Sequence, residues 1–169
     1  MHSDFQIRPV MASDFAAIAA LTNHYILNTS IHFGTTPQSP AELMARWQEH
    51  ADTHPYIVAV RDTPRGEELL GYAKVSVWRT RAAYSRTCES GIYVAPRVQR
   101  MGIGMALYAD LISRTRSAGF HTIVAAITEP NEPSCRLHEA LGFRHIGTFA
   151  EVGFKFDKWW GTIWYQLML

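Results

Sequence analysis

The sequence predicts an α/β fold: a mixed, mostly antiparallel sheet flanked by helices on both faces. Three observations carry this. The element order reads β-α-α-β-β-β-α-β-α-β-β. Strands of the first half are joined by turns too short for helical crossovers, which disfavours a purely parallel sheet. Strands of the second half alternate with helices, which places helices against the sheet. At 169 residues the chain fits one domain, residues 1–169.

Each element has a local cause. Phe5–Arg8 reads as a short strand. Ser13 offers an N-cap, and Phe15, Ile18, Ala19, Tyr25 and Ile26 recur at helical spacing. Thr35–Pro40 breaks the pattern. Ser39-Pro40-Ala41-Glu42 is a capping box with proline at the first helical position, so a second helix runs toward His50. Tyr56–Val60 is a short apolar run suited to a buried strand. Asp62–Glu67 holds Pro64 and Gly66 and reads as a turn. From Leu70 to Trp78 the residues alternate, with Ala73, Val75 and Val77 on one face and Tyr72, Lys74, Ser76 and Trp78 on the other. Cys88–Val94 is a further strand. A glycine-containing loop, Pro96–Gly104, leads into the amphipathic segment Met105–Ser117, which Gly119 stops. Ile123–Ile127 is an apolar strand. Pro133–Leu141 is a short helix closed by Gly142, and His145–Val152 and Thr162–Leu169 are the last strands.

Composition excludes several function classes. Hydrophobic residues make up 47% and charged residues 18%, with a formal net charge of +1. A core is available without disulfides or metal. Near-neutrality argues against a nucleic-acid binder or a polybasic membrane anchor. It also leaves little repulsion between copies, so self-association is compatible with it. Cys88 and Cys135 form no CxxC pair, so a zinc or redox motif has no support. They read as small core or near-site residues in a reducing cytoplasm. Met1–Val10 lacks the layout of a signal peptide, and no apolar run reaches membrane-spanning length.

The most informative segment is Gln99-Arg100-Met101-Gly102-Ile103-Gly104. It follows a strand and opens a helix. Its glycines let backbone N–H groups approach a ligand, and the helix start favours an anion. Arg97 and Arg100 add cations nearby. A Walker loop is excluded because no Gly-Lys-Ser/Thr follows, and a dinucleotide fingerprint lacks its last glycine at Leu107. The alternative is a tight turn with no ligand.

The pattern Gln-x-x-Gly-x-Gly between strand and helix resembles the acetyl-CoA pyrophosphate loop of the GNAT superfamily. Asn131, a short helix and then Leu141-Gly142-Phe143 resemble the second half of that cofactor site. Tyr93–Arg97, Val124–Ile127, Pro130–Ser134 and His138–Phe143 together resemble the phosphinothricin N-acetyltransferase family. Asn23–Ile26, Trp78–Tyr84 and Glu89-Ser90 extend the likeness over nearly the whole chain. The resemblance implies the GNAT acyl-CoA N-acyltransferase fold, a homodimer, and acetyl transfer from acetyl-CoA to a small amino-acid-like amine. Phosphinothricin and methionine sulfoximine or sulfone are the family's substrates, and herbicide resistance is an implied property.

The resemblance also implies site residues. Glu89 matches the catalytic glutamate. An amine must lose a proton before it attacks a thioester, and Glu89 shares a strand face with Gly91 and Tyr93. The alternative is an ion pair with Arg79 or Arg81. Backbone groups of Ile92, Tyr93 and Val94 would meet the thioester and pantetheine, at a place where such enzymes usually carry a bulge. Gln99, Arg100, Met101, Gly102, Ile103, Gly104, Asn131 and Ser134 complete the cofactor set, with no metal. His138 lies seven residues after Asn131, about two helical turns, on the same side. There many GNAT members carry tyrosine, and this family's second catalytic candidate is the histidine. Tyr108 reads as packing. Cys135 could touch His138 on one helix face, but the resemblance favours direct transfer over a covalent route.

Phe33, Arg79, Arg81, Tyr84 and Tyr93 match positions that line the family's substrate site. The arginines would hold anionic oxygens. One departure is Gly34, where an arginine often follows Phe33. Gly153–Phe156 and Trp159-Trp160 would cover the site, form a dimer contact or pack in the core. Two other readings remain open. One is a GNAT acting on a polyamine, aminoglycoside or protein N-terminus. The other is an acyl-CoA-binding sensor without catalysis.

Overall fold

Two antiparallel halves of one seven-stranded sheet meet at a parallel seam. In the computed structural model, which describes residues 5–169, the strands are β1 (Gln6–Pro9), β2 (Tyr56–Thr63), β3 (Gly66–Val77), β4 (Thr87–Val94), β5 (Thr122–Thr128), β6 (Arg144–Lys155) and β7 (Lys158–Met168). The helices are α1 (Phe15–Asn28), α2 (Pro40–Gln48), α3 (Ile103–Ser117) and α4 (Glu132–Ala140). The sheet order is β1-β2-β3-β4-β5-β7-β6. Every neighbouring pair is antiparallel except β4 and β5. Residues 1–4, with part of the N-terminal segment read for a signal peptide, lie outside the described residues.

Helices cover both faces. On one, α1 reaches the sheet through Thr22, whose hydroxyl meets the Tyr72 hydroxyl at 2.8 Å. Helix α2 joins it through the Phe15–Trp47 ring contact. On the other, α3 packs Leu107 and Leu111, both fully buried. Gly71 lets α3 and β4 come close. A Cβ there would stand 2.7 Å from the Tyr93 carbonyl oxygen and 3.2 Å from Leu107. Among the described residues, no helix is long and apolar enough to cross a membrane.

The capping box forms as expected. Ser39 Oγ accepts from the Glu42 N–H, and the Glu42 carboxylate accepts from the Ser39 N–H at 2.6 Å. Ser13 is not an N-cap. It sits in a short 3-10 turn, Ala12–Asp14. There Asp14 takes the capping role, accepting from the Met11 N–H at 2.7 Å and from Arg8 at 2.8 Å. Helix α3 begins two residues before the expected Met105, because Gly102 at φ +81° turns the chain directly into it.

The C-terminal strands are longer than the sequence suggests. β6 and β7 form one hairpin closed by Phe156 and Asp157, both at φ 54°. No glycine or asparagine marks that left-handed turn, and register shifts at His145/Gly147 and Phe149/Gly153 blur the alternation. Trp159 and Trp160 therefore lie in strand β7. Trp159 is exposed, so the core-packing expectation fails for it.

Gly71→Ala is expected to lower stability by roughly 1–3 kcal/mol, as overpacking against backbone does. A denaturant midpoint equal to wild type would show that the sheet and α3 yield freely.

Candidate functional site

The seam between β4 and β5 is short. Thr87, Cys88 and Glu89 pair with Thr122, Ile123 and Val124, and the strands then part. Beyond Glu89, strand β4 keeps its pairing to β3 alone, in unbroken register as far as Val94↔Gly71. The expected bulge in β4 is therefore absent; divergence from β5 frees the backbone instead. The Ala95 N–H donates to Leu70 on the β3 side at 2.8 Å. Alternation then turns the N–H groups of Ile92 and Val94 toward the gap. The Val94 carbonyl faces the same way and accepts from the Tyr25 hydroxyl at 2.6 Å.

A cavity of about 220 Å³ opens there. Glu89, Ser90, Gly91, Ile92 and Tyr93 of β4 line it with Ala125–Thr128 of β5. From α4 and its approach come Asn131, Ser134 and His138, and from β3 come Tyr72, Lys74 and Ser76.

The Glu89 carboxylate makes no hydrogen bond or ion pair among the described residues; the charge that acts on it is that of Lys74. Burial raises its pKa, and Lys74 draws it partly back. The pair with Arg79 or Arg81 does not form. The Arg79 guanidinium lies over the Trp78 ring at 4.7 Å and the Tyr84 ring at 5.8 Å.

His138 is 3% exposed, and both ring nitrogens are engaged. Nδ1–H donates to the Ser134 carbonyl at 2.7 Å, and Nε2 meets the Tyr108 hydroxyl at 3.0 Å. A carbonyl can only accept, so Nδ1 carries the proton and the neutral ring accepts at Nε2. Burial lowers the His138 pKa, which favours that neutral form. Tyr108 in turn contacts Ser90 Oγ at 2.6 Å. Tyr108 is fully buried, as packing requires, yet it also links His138 to a hydroxyl on the cavity wall. Nothing in the helical periodicity distinguishes it from a core tyrosine.

The glycine loop stands at the outer end of the seam. Gly104 lies where a Cβ would meet Val94 at 3.6 Å and Leu137 of α4 at 3.7 Å. The first N–H groups of α3 have no intrahelical acceptor, and Gly102 brings no side-chain cap. Side chains of the loop diverge in use. Ile103 is buried in the core, whereas Met101 is exposed. Gln99 Nε2 donates to the Tyr25 hydroxyl at 3.1 Å. Arg100 is exposed at φ 65°. Arg97, expected near the anion, is held by Glu68 at 2.6 Å instead. Asn131 caps α4, its side chain accepting from the Ser134 N–H.

The substrate residues are only partly gathered. Tyr93 lines the cavity, its ring against Tyr25 and Tyr72, each at 5.2 Å. Arg79, Arg81 and Tyr84 do not line it; they stand just beyond Ser76, where β3 leaves for β4. Phe33 is exposed and rests on Gly153 of the β6–β7 hairpin, where a Cβ would come within 2.4 Å of its ring. Cys135 is buried with its thiol pKa raised, and the side chain it meets is Tyr165. That leaves no activated nucleophile there.

Lys74 and His32 line the cavity and were not singled out from the sequence. The alternation did place Lys74 on the face of Tyr72, which was the available signal. His32 sits in an irregular loop, where no period applies. Burial and the charges of Lys155 and Lys74 push its pKa down to about 4. It is neutral, and its Nδ1 accepts from the Gly34 N–H at 2.9 Å.

Comparison with known proteins agrees with this geometry. Residues 20–143 match the model of the acetyltransferase (GNAT) family. A phosphinothricin N-acetyltransferase of Streptomyces coelicolor is 39% identical over 164 residues, covering 97% of this chain and 96% of the relative. An L-methionine sulfoximine/L-methionine sulfone acetyltransferase of Pseudomonas aeruginosa is 34% identical, covering 96% and 94%. The solved structure of a GNAT superfamily phosphinothricin acetyltransferase from Sinorhizobium meliloti, in complex with acetyl-CoA, superposes with a TM-score of 0.91. It is 33% identical and covers 99% of this chain and 89% of that one.

Tyr108→Phe leaves His138 Nε2 buried without a donor. The expected cost is about 1–3 kcal/mol of stability, read by chemical denaturation. No loss would mean that the hydroxyl contributes nothing to the folded state.

Proposed function

We propose that this chain, which belongs to the GNAT family of acetyltransferases, moves the acetyl group of acetyl-CoA directly to the amine of a small amino-acid-like substrate. Phosphinothricin and methionine sulfoximine or sulfone are the substrates favoured by the relatives. The observation that carries the reading is the unpartnered Glu89 carboxylate, placed where β4 leaves β5 and exposes backbone donors.

Each role follows from position. Bound acetyl-CoA supplies the activated acetyl thioester. The free N–H groups at the start of α3, with Arg100, suit its pyrophosphate. Gln99, Met101, Gly102, Ile103 and Gly104 serve mainly by holding that backbone in place. Asn131 and Ser134 line the cavity itself and suit the inner part of the cofactor. N–H groups of Ile92 and Val94 face the gap and suit the oxyanion that develops at the thioester carbonyl. Glu89 accepts the amine proton, directly or through water. The neutral His138 accepts from Tyr108, which accepts from Ser90 on the cavity wall, so the chain suits orienting the groups bound there, and the proton that Glu89 takes from the amine is the one that passes, through water, to the departing thiolate. The buried Cys135 supports direct transfer over a covalent route.

We further propose a homodimer in a reducing, cytoplasmic setting. Exposed Phe149, Val152, Phe154 and Trp159 on the β6–β7 hairpin support the first. Free Cys88 and Cys135 support the second. In a dimer the loop of Arg79, Arg81 and Tyr84, and Phe33, would border a mouth shared with that hairpin.

Thiol release from acetyl-CoA against phosphinothricin, methionine sulfoximine, methionine sulfone, polyamines and aminoglycosides tests the substrate class. Turnover confined to the cationic amines would overturn it, and binding without turnover would mark a sensor. A general base works deprotonated, above its pKa. Burial raises the Glu89 pKa, so the acid limb of kcat/KM is expected above the ordinary carboxylate value of about 4.3. Glu89→Gln should remove that limb and lower kcat by roughly 10²–10⁴-fold with acetyl-CoA affinity unchanged. Wild-type turnover in that variant excludes Glu89 as the base.

A further inference from the structure

We propose that Lys74 anchors the substrate's carboxylate, so that an α-amino acid spans the cavity with its acid group on Lys74 and its amine toward Glu89. This rests on the amino-acid reading above and names the residue that enforces it.

The register sets the geometry. Lys74 pairs with Gly91, and Ser76 pairs with Glu89. Lys74 and Glu89 are therefore diagonal neighbours on one face of an antiparallel pair, with Cβ atoms roughly 7 Å apart. Both line the same cavity. They form no salt bridge with each other, and neither hydrogen-bonds to another side chain among the described residues. Lys74 rests its ammonium 5.7 Å from the Tyr56 ring centroid. No buried side-chain nitrogen or oxygen lacks a partner among the described residues. The free ammonium therefore opens to space a ligand can reach.

Among the described residues, no other ionised side chain lines this cavity. Burial holds His32 and His138 neutral. One ammonium and one carboxylate, set apart on the same face, complement a ligand that carries an amine and a carboxylate on one carbon. Arg46 of α2 stands close enough to act on Lys74 and adds to the positive potential. Lys74 also borders a second recess beneath α2, on the Arg46 side. Together with Arg46, burial lowers the Lys74 pKa, so its charge is costly in the empty cavity. An arriving carboxylate removes that cost, which an uncharged group cannot do. A polyamine would instead set like charge beside Lys74. Anchoring thus falls to a residue inside the cavity rather than to Arg79 or Arg81 at its edge.

Lys74→Met in the full-length enzyme tests this, with methionine sulfone and its decarboxylated counterpart, 3-(methylsulfonyl)propan-1-amine, as paired substrates. In the variant, kcat/KM for methionine sulfone should fall on the order of 10- to 100-fold, mostly through KM. The carboxylate-free amine should change little, and Lys74→Arg should keep part of the preference. Calorimetric binding of acetyl-CoA verifies folding, and Lys74→Gln replaces the methionine variant if that fails to fold. Equal losses on both substrates, or no loss on either, would overturn the proposal and leave the amino-acid reading standing. Wild-type turnover of the carboxylate-free amine alone would overturn both.

Discussion

The short pairing of β4 with β5 is the constraint on which the rest depends. A strand that loses its neighbour must find other partners for its N–H and C=O groups. Here one is supplied from inside: Tyr25 donates to the Val94 carbonyl and takes a bond from Gln99. That contact ties α1, the end of β4 and the glycine loop together. The N–H groups of Ile92 and Val94 have no such partner on the gap side, which leaves them available as the donors proposed for the thioester. A regular sheet through this point would satisfy every backbone group and leave no site.

Electrostatics inside the gap follow from burial. Neutral imidazoles, phenols and hydroxyls form much of the wall, since an unpaired charge is expensive there. The exceptions are Glu89 and Lys74, which temper each other across a diagonal without closing into a pair. A closed pair would lower the Glu89 pKa, weaken it as a base and occupy Lys74. The open arrangement keeps the carboxylate pKa raised and both groups available. The same economy of charge explains why His138 is more useful as an acceptor from Tyr108 than as a free cation.

Much of this was legible in the sequence, for identifiable reasons. Helices, strands and the capping box follow from period and cap chemistry, which are local. The glycine loop and Asn131 are legible because backbone geometry fixes residue type there. Glu89 was legible from strand alternation and family likeness. Tyr108 was not, because its hydroxyl matters only through Ser90 on another element. Lys74 was placed on the correct face, but its lack of an ionic or hydrogen-bonding side-chain partner among the described residues is a tertiary fact. Arg79 and Arg81 show the converse: their charge is plain in the sequence, while the stacking of Arg79 on Trp78, beyond the cavity wall, is a tertiary fact.

The least expected element, the long β6–β7 hairpin, also shapes this site. Lys155 is 5% exposed and has no carboxylate partner among the described residues. Its ammonium donates to the carbonyls of Thr29 and His32, at 2.8 and 2.6 Å. Thr29 is the C-cap of α1, where the helix end favours a cation. The lysine thereby fixes the irregular loop that carries His32 to the cavity. Its charge also helps hold His32 unprotonated. Were His32 charged, a second cation would line the cavity and blur the match to a ligand with one carboxylate. On the proposed reading the hairpin would thus contribute to selectivity by helping to keep a wall residue neutral.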